Sequence, residues 1–369
     1  LDNGLAPKSG FRIFQQELAR TLELIAQTNG HAFYKGEIAE RLVSGVLATG
    51  GIWSLDDLAD YTVKLRSPVT TTYRGSKIVS APPPSSGGIV LIEALNILER
   101  YDLSAETDID RVHLVVEAMR RGYRDRADFL GDPDFIDIPL ERLLSKSYAD
   151  SIAENISTTK ASASSDLAPL ESKVEGRDTT HFSIIDAEGN LVAATLSINT
   201  PFGSGVVPKG TGVVLNNEMD DFSARRLTPN TYGLVGAGAN SIAPRKRPLS
   251  SMTPTFIESN DRVAILGTPG GSRIISMVLL SALEFLRGGD AESMVVAKRY
   301  HHQYLPDQIN YEKGGFTSSE VSNLRGKGHQ LKESSRNYGN MQVVTWEKKS
   351  GKIAAASDPR GEGQATVDK

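Results

Sequence analysis

The order in which helical and strand patterns follow one another is the feature that most constrains the fold of this chain. In the first half, apolar residues recur every three or four positions, and a helix is predicted over about 112–130, with the Arg120–Arg126 cluster on its outer face. From His181 to Ile198, two strand patterns flank a turn at Glu188-Gly189-Asn190, which predicts a β-hairpin. Because helices mix with mostly antiparallel strands and do not alternate regularly with them, the sequence favours a layered α+β protein over a Rossmann type.

Composition excludes several classes of protein. The 369 residues include 41 Lys and Arg against 45 Asp and Glu, so the formal net charge is −4 and no broad basic surface for nucleic acid is expected. No apolar run approaches the roughly 20 residues of a membrane-spanning helix, which predicts no membrane span. Cysteine is absent, and this excludes disulfides, thiolate metal ligands and a cysteine nucleophile. The small, polar segment Ser157–Ser172 is predicted to be exposed and mobile.

Four stretches rich in hydroxyl, carboxylate and glycine residues are candidates for chemistry. Taken singly, each also has an ordinary structural explanation. A Thr-Thr pair is typical of a strand, an acidic run forms a solvated turn or a weak calcium loop, a Ser-Ser pair caps a helix, and a Gly-Gly pair cradles phosphate. The acidic run lacks the spacing of an EF-hand, and no lysine follows the glycines as in a Walker motif. The stretches are Asp178–His181, Leu215–Ser223, Arg247–Met252 and Gly267–Arg273.

Together, and in this order, the four stretches resemble the γ-glutamyltranspeptidase family of N-terminal-nucleophile hydrolases. The resemblance extends along nearly the whole chain, because further family-like motifs lie in the first half and near the end. It implies an α+β fold of the αββα four-layer sandwich type. The further motifs are Phe33–Ala39, Asp57–Tyr61, Pro82–Gly88 and Ala356–Arg360.

The resemblance also implies that the chain cuts itself at the Asp178–Thr179 bond. Residues 1–178 would then be the C-terminal part of a large subunit and residues 179–369 the small catalytic subunit, both interleaved in one structural domain. The freed α-amino group of Thr179, with an unperturbed pKa of about 7.7–8.0, would act as base for the threonine's own hydroxyl. Thr180 and Ser197 would support this nucleophile; at Ser197 we expect the family to have threonine.

The reaction implied by the resemblance is cleavage of the γ-glutamyl amide of glutathione and related compounds through a threonyl ester. Water, an amino acid or a dipeptide would accept the γ-glutamyl group, and neither a metal nor another cofactor is required. Backbone N–H groups at Gly270 and Gly271 would stabilise the oxyanion, a contribution of roughly 3–4 kcal/mol for one donor. The resemblance assigns the substrate's α-ammonium to Asn199, Glu218 and Asp221, its α-carboxylate to Ser250 and Ser251, and a lid over the site to Tyr232.

One departure from the family pattern concerns the N-terminus. The family's large subunit has a further portion before the point where this sequence begins, and that portion supplies an arginine that clamps the substrate carboxylate. Arg247 and Arg273 belong to other motifs, so neither is assigned to that role. Two alternatives therefore stay open: a related amidase acting on poly-γ-glutamate or cephalosporin side chains, and an inactive truncated fragment. The bacterial members' export implies a periplasmic or secreted location.

Overall fold

A computed structural model describes residues 6–167, 179–223, 230–231, 233–236 and 238–368. The predictions made for Asp178 and Tyr232 therefore lie outside the described residues. The chain forms two compact units: a smaller one from Leu1–Leu65 with Phe202–Asn217, and a larger one from Arg66–Pro201 with Glu218–Lys369. This division follows contacts and not a cleavage site, so the two-subunit division at residue 178 stays a prediction.

The described residues contain helices and strands throughout the chain. The helices are α1 (Gln16–Gln27), α2 (His31–Lys35), α3 (Glu37–Ala48), α4 (Leu55–Ala59), α5 (Gly87–Leu98), α6 (Asp108–Phe129), α7 (Leu140–Leu143), α8 (Lys146–Ala153), α9 (Ile274–Leu286), α10 (Ala291–Val296) and α11 (Ser318–Gly326). The strands are β1 (Val69–Tyr73), β2 (Ser76–Ser80), β3 (Thr180–Ile185), β4 (Leu191–Leu196), β5 (Thr255–Glu258), β6 (Arg262–Gly267), β7 (Tyr300–His301), β8 (Ile309–Tyr311), β9 (Leu331–Glu333), β10 (Gln342–Glu347) and β11 (Ile353–Ser357).

The smaller unit is a set of short helices around its own apolar cluster. Ala32, Ile38 and Leu42 are its buried centre, in α2 and α3. Helix α4 begins at Ser54, whose hydroxyl accepts a hydrogen bond from the Asp57 N–H while the Asp57 carboxylate accepts one from the Ser54 N–H. This reciprocal capping box satisfies two backbone donors that a helix start leaves unpaired.

The larger unit is built on a six-stranded antiparallel sheet in the order β1-β2-β5-β6-β10-β11. Helices α5 and α9 are almost wholly buried; α5 contacts β1 and β2, α9 contacts β6, and α6 packs against α5. Ala264 and Leu266 of β6 belong to the main core, whereas Gly267 faces His181 of the β3–β4 hairpin. The described part of this unit thus has helix, sheet and hairpin layers, and it confirms the predicted α+β class and the predicted hairpin.

The hairpin lies very close to β6. A Cβ atom on Gly267 would overlap the His181 ring. That ring is buried, and its nitrogens are hydrogen-bonded to Thr195 Oγ1 at 2.8 Å and to Ser183 Oγ at 3.1 Å. The ring is therefore held on both sides, and glycine at 267 leaves the space that the hairpin occupies. On the opposite hairpin face, Phe182 is 43% exposed.

The prediction that the Arg120–Arg126 cluster faces outward is wrong. Arg120, Arg121 and Arg126 are only 1%, 5% and 4% exposed, because α6 is covered by α5 and by segments from later in the chain. Arg121 Nη1 donates to Glu117 Oε2 at 2.6 Å, and Arg120 Nη1 donates to Ser164 Oγ at 2.5 Å. Ser164 is itself buried, so the prediction of an exposed segment is wrong at that residue.

Gly267→Ala is expected to destabilise the protein. The added methyl group must displace the His181 ring, and overpacking of this kind typically costs about 1–3 kcal/mol. Gly326→Ala is the matched control, since nothing lies within 4 Å of its Cβ position and alanine favours the helix there. Thermal unfolding of both variants checks this prediction. Equal melting temperatures for the two variants would contradict it.

Candidate active site

The predicted nucleophile and its supporting hydroxyl lie at one end of the hairpin. Thr180 pairs with Leu196, so Thr179 and Ser197, which directly flank the two strands, are neighbours. Thr179 Oγ1 donates to Ser197 Oγ at 3.3 Å, and Ser197 Oγ in turn accepts a hydrogen bond from the Asn199 N–H at 2.8 Å. Asn199 is buried with a left-handed φ of 73°, a conformation that asparagine adopts more readily than most residues.

A small cavity joins this hairpin end to the other predicted residues. It has about 20 Å³ that a water molecule could occupy, enough for roughly one water. Of the predicted residues, Thr180 is exposed, and neither it nor Gly270 lines the cavity among the residues described. The lining residues are Arg126, Thr179, Ser197, Asn199, Glu218, Asp221, Leu234, Leu249, Ser250, Ser251, Met252, Gly271 and Ile274.

Two larger cavities lie elsewhere in the larger unit. One of about 290 Å³ is mainly apolar and includes Leu283, Tyr300 and Phe316 in its lining. The other, of about 470 Å³, is lined partly by Asp290 and Thr345. Neither includes a residue that the sequence predicted for the site. The chemistry of the lining, and not cavity size, therefore selects the small cavity as the candidate site.

The serine pair is held by the proline-rich turn that the sequence showed at 82–88. Ser250 N–H donates to the Pro84 carbonyl at 2.9 Å. Ser86 returns two hydrogen bonds to the Ser250 carbonyl, from its N–H at 2.8 Å and from its hydroxyl at 2.7 Å. Ser251 is buried. The turn thus fixes the backbone of the two serines that line the cavity.

The acidic pair lies on a short 3-10 helix, Glu218–Asp221. Burial and, after it, the charge of the neighbouring Glu218 together raise the pKa of Asp221 to about 8. Asn230 Nδ2 donates to Asp221 Oδ1 at 3.3 Å. Near neutral pH this carboxyl is therefore mostly protonated, and a bound ammonium group would favour its ionised form.

The glycine pair precedes helix α9. Gly270 and Gly271 have φ values of 146° and 56°, which favour glycine. Gly271 and Thr179 both line the cavity, and a Cβ atom on Gly270 would collide with the Met277 methyl group. The absence of side chains allows close approach to this backbone, as an oxyanion site requires. The oxyanion role itself stays a prediction.

Arg126 is the charged residue of the cavity lining that sequence reasoning missed. It lies in the last turn of α6, where Nε donates to Ser86 Oγ at 2.9 Å and Nη2 donates to Ser251 Oγ at 3.3 Å. Burial lowers its pKa to about 10, so it remains a cation at neutral pH. A signal was present in the sequence: Arg126 follows the apolar Met119 by seven residues, a spacing that places both on the same face of α6.

His181, close to Thr179 in sequence, is not a suitable general base. Burial lowers its pKa to about 4, so the ring is neutral at physiological pH. Its two nitrogens are already engaged by Thr195 and Ser183. The geometry therefore leaves the proton of the Thr179 hydroxyl to another acceptor.

One buried group, His113, Glu117 and His329, has ligand atoms close enough together to hold a metal ion. His113 Nδ1 and His329 Nε2 are hydrogen-bonded at 2.8 Å. Burial opposes ionisation of Glu117, but the charge of Arg120, a hydrogen bond from Ser162 and the charge of Arg121 lower the pKa of Glu117 to about 2. This set therefore acts as a hydrogen-bonded ion-pair network, in which two guanidinium groups oppose a further cation.

The amino-acid sequence is similar to that of one known protein family over its whole length. A sequence model of the family described as Gamma-glutamyltranspeptidase matches residues 1–368. The chain is 41% identical over 367 residues to the glutathione hydrolase proenzyme of Escherichia coli K12, covering 98% of this chain and 62% of that protein. It is 45% identical over 316 residues to the glutathione hydrolase proenzyme of Pseudomonas sp. A14, covering 85% and 55% respectively. The chain thus spans about three fifths of the length of such curated relatives.

A solved structure agrees with the fold. The cephalosporin acylase of Bacillus halodurans has a TM-score of 0.85 and 26% identity, over 100% of this chain and 65% of that chain. This similarity confirms the predicted fold class of the N-terminal-nucleophile type. In the part of the chain that the structure describes, no helix combines the length and the apolar composition needed to cross a membrane.

Asp221→Asn is expected to alter stability in a pH-dependent way. Unfolded aspartate ionises near pH 3.9, whereas Asp221 in the folded chain stays protonated up to about pH 8. Between these values the folded state binds the extra proton, so wild-type stability falls as pH rises. Asparagine does not titrate and removes this effect. The stability of the variant relative to that of wild type should therefore increase from pH 5 to pH 9.

Thermal unfolding across that range, with the exposed Asp137→Asn as control, measures the difference. Parallel curves for wild type and Asp221→Asn would show that this carboxyl does not have the raised pKa.

Proposed function

Since the chain belongs to the gamma-glutamyltranspeptidase family, we propose that it is a self-processing γ-glutamyl acyltransferase and hydrolase acting on glutathione and related compounds. The observation that carries this proposal is the single cavity around which Thr179, two serines and two carboxyl groups gather. Transfer of an amino-acid acyl group requires a nucleophile, donors for a carboxylate and acceptors for an ammonium group. The lining supplies each of these groups.

Activation proceeds by cleavage of the bond between Asp178 and Thr179. The Thr179 hydroxyl oxygen attacks the Asp178 carbonyl carbon, the peptide nitrogen leaves as a free amine, and water hydrolyses the resulting ester. The new amine, with an unperturbed pKa of about 7.7–8.0, is partly neutral near physiological pH and accepts the proton of the adjacent hydroxyl. The Ser197 hydroxyl, 3.3 Å from Thr179 Oγ1, orients the nucleophile, and Thr180 supports it from the neighbouring strand position.

Acyl transfer then takes two steps. Thr179 Oγ attacks the γ-carbonyl carbon of the donor, the C–N bond breaks, and the leaving amine takes up the proton, which leaves a γ-glutamyl ester. Water, an amino acid or a dipeptide attacks this ester and regenerates the hydroxyl. Backbone N–H groups at Gly270 and Gly271 stabilise the negative oxygen of each tetrahedral intermediate.

Recognition of the donor uses the two charged ends of its glutamyl group. Asn199, Glu218 and Asp221 accept hydrogen bonds from the α-ammonium, and Ser250 and Ser251 donate to the α-carboxylate. Binding of the ammonium ionises Asp221, since a nearby positive charge favours the carboxylate. Tyr232 is proposed to cover the bound donor.

A related amidase is the second candidate, and the similarity to a cephalosporin acylase favours it. Poly-γ-glutamate and cephalosporin side chains would be its substrates. A glutaryl side chain has no α-ammonium group, so the carboxyl groups of Glu218 and Asp221 would not contribute to its binding. Their position at the cavity therefore supports the glutathione proposal. An inactive fragment, the third candidate, would show neither cleavage nor turnover.

The partners proposed are the γ-glutamyl donor, its acceptor, and the large and small subunits produced from one precursor. The proposed location is the periplasm or the medium, and it rests on the resemblance to exported bacterial members. Cell fractionation checks it. Protein confined to the cytosol would contradict this part of the proposal.

Thr179→Ala is expected to abolish hydrolysis of glutathione, with kcat/KM at least roughly 1,000-fold lower, because the acyl-accepting oxygen is lost. Thr70→Ala is the control, since Thr70 is an exposed strand residue outside the cavity. Both variants are assayed with glutathione and with a glutaryl amide that lacks the α-amino group. Wild-type preference for the glutaryl amide would favour the second candidate, and turnover unaffected by Thr179→Ala would overturn the mechanism.

A further inference from the structure

We propose that Arg126 is a positioning residue for the carboxylate of the bound amino-acid group: its guanidinium orients the Ser251 hydroxyl and gives this end of the cavity a positive charge. The inference rests on the proposed function and extends it to a residue that the family resemblance did not assign. Arg126 acts on the ligand through the Ser251 hydroxyl and does not itself contact the reacting atoms.

The hydrogen bonds of Arg126 connect it to the serine pair. Arg126 Nε donates to Ser86 Oγ at 2.9 Å and Nη2 donates to Ser251 Oγ at 3.3 Å. A hydroxyl that accepts a hydrogen bond from arginine turns its own proton toward another acceptor. Ser86 Oγ donates to the Ser250 carbonyl at 2.7 Å, so one guanidinium is connected to both residues of the serine pair. The planar, forked guanidinium fixes the position of the Ser86 hydroxyl relative to that of the Ser251 hydroxyl.

The positive charge of Arg126 has no ionised hydrogen-bond partner among the described residues. Among the described residues, the hydrogen-bond partners of Arg126 are neutral hydroxyl groups, and the residue is only 4% exposed. Asp221 attracts it from farther away, but burial and Glu218 keep that carboxyl mostly protonated near neutral pH. A buried cation without an ionised partner is unfavourable, and an entering anion relieves this. The serine end of the cavity is therefore built for a carboxylate.

The neighbouring arginines are engaged elsewhere. Arg273 stacks on the Tyr338 ring, with 4.4 Å between the guanidinium carbon and the ring centroid. Arg247 Nη1 lies 3.8 Å from Asp134 Oδ2. Neither lines the cavity, whereas Arg126 does. With Glu218 and Asp221 in the same lining, the cavity has acceptors for an ammonium and a cation for a carboxylate, which matches a zwitterionic amino-acid group.

Binding of two small ligands tests this role without depending on turnover. L-glutamate and 4-aminobutanoate differ only in the α-carboxylate, and NMR-detected titration gives both dissociation constants. Arg126→Gln should weaken L-glutamate binding roughly 10- to 100-fold, the range for loss of a hydrogen-bonding charge, and leave 4-aminobutanoate within about twofold. Arg126→Lys keeps the charge but loses the planar, forked guanidinium. Its affinity for L-glutamate should lie between that of wild type and that of Arg126→Gln. Arg124→Gln is the matched control, because Arg124 pairs with Asp125 and Asp128 on the same helix and does not line the cavity.

Equal weakening of both ligands in a folded Arg126→Gln variant would overturn the proposal, since that pattern indicates general damage to the cavity. If Arg126→Gln does not fold, Arg126→Lys and Ser86→Ala replace it, and unchanged discrimination between the two ligands in both would equally overturn it. Failure of the proposed function has a different signature, because it appears as absent self-cleavage and absent γ-glutamyl turnover in wild type. Ligand discrimination is measured independently of both.

Discussion

The pairing of β3 with β4 is the interaction on which the candidate site depends. Residues 179 and 197 are eighteen positions apart in sequence, yet the register that pairs Thr180 with Leu196 makes their hydroxyls neighbours. The hairpin takes this position because Gly267 lets the His181 ring lie directly against β6. Since the chain runs from the end of β6 at Gly267 through Gly270 and Gly271 into α9, the segment that directly follows this strand supplies the predicted oxyanion backbone. One packing contact therefore links the nucleophile to the groups proposed to stabilise its reaction.

Buried charge is the second constraint on this site. Arg126 is buried and Asp221 is partly buried at the same cavity, so the charged form of each is poorly solvated. Burial lowers the pKa of Arg126 and raises that of Asp221, which means that each charged form is disfavoured until an opposite charge arrives. A zwitterionic ligand supplies both opposite charges at once. The empty site is in this sense less favourable than the occupied one, which is typical of functional sites.

The sequence predicted some of this arrangement for clear physical reasons. Alternation of apolar residues on both sides of Glu188-Gly189-Asn190 is a local signal, and the hairpin was found where it was predicted. The α+β class followed from the order of elements, and the four motifs named most lining residues through the family resemblance. The prediction that Arg126 lies on the outer face of its helix is wrong, and the spacing of seven residues from the apolar Met119 is the local pattern that indicates the buried face. The cavity's small volume and the shift in Asp221 depend on contacts between distant segments, which periodicity does not report.

The mass of the purified protein under denaturing conditions, followed over time near neutral pH, tests the central claim most directly. The claim is that Thr179 becomes a nucleophile by releasing itself from Asp178. Two fragments of similar size, residues 1–178 and the slightly longer 179–369, are expected to accumulate at the expense of the intact chain, and N-terminal sequencing identifies the new end at Thr179. A chain that folds, binds L-glutamate and nevertheless stays uncut would contradict the account.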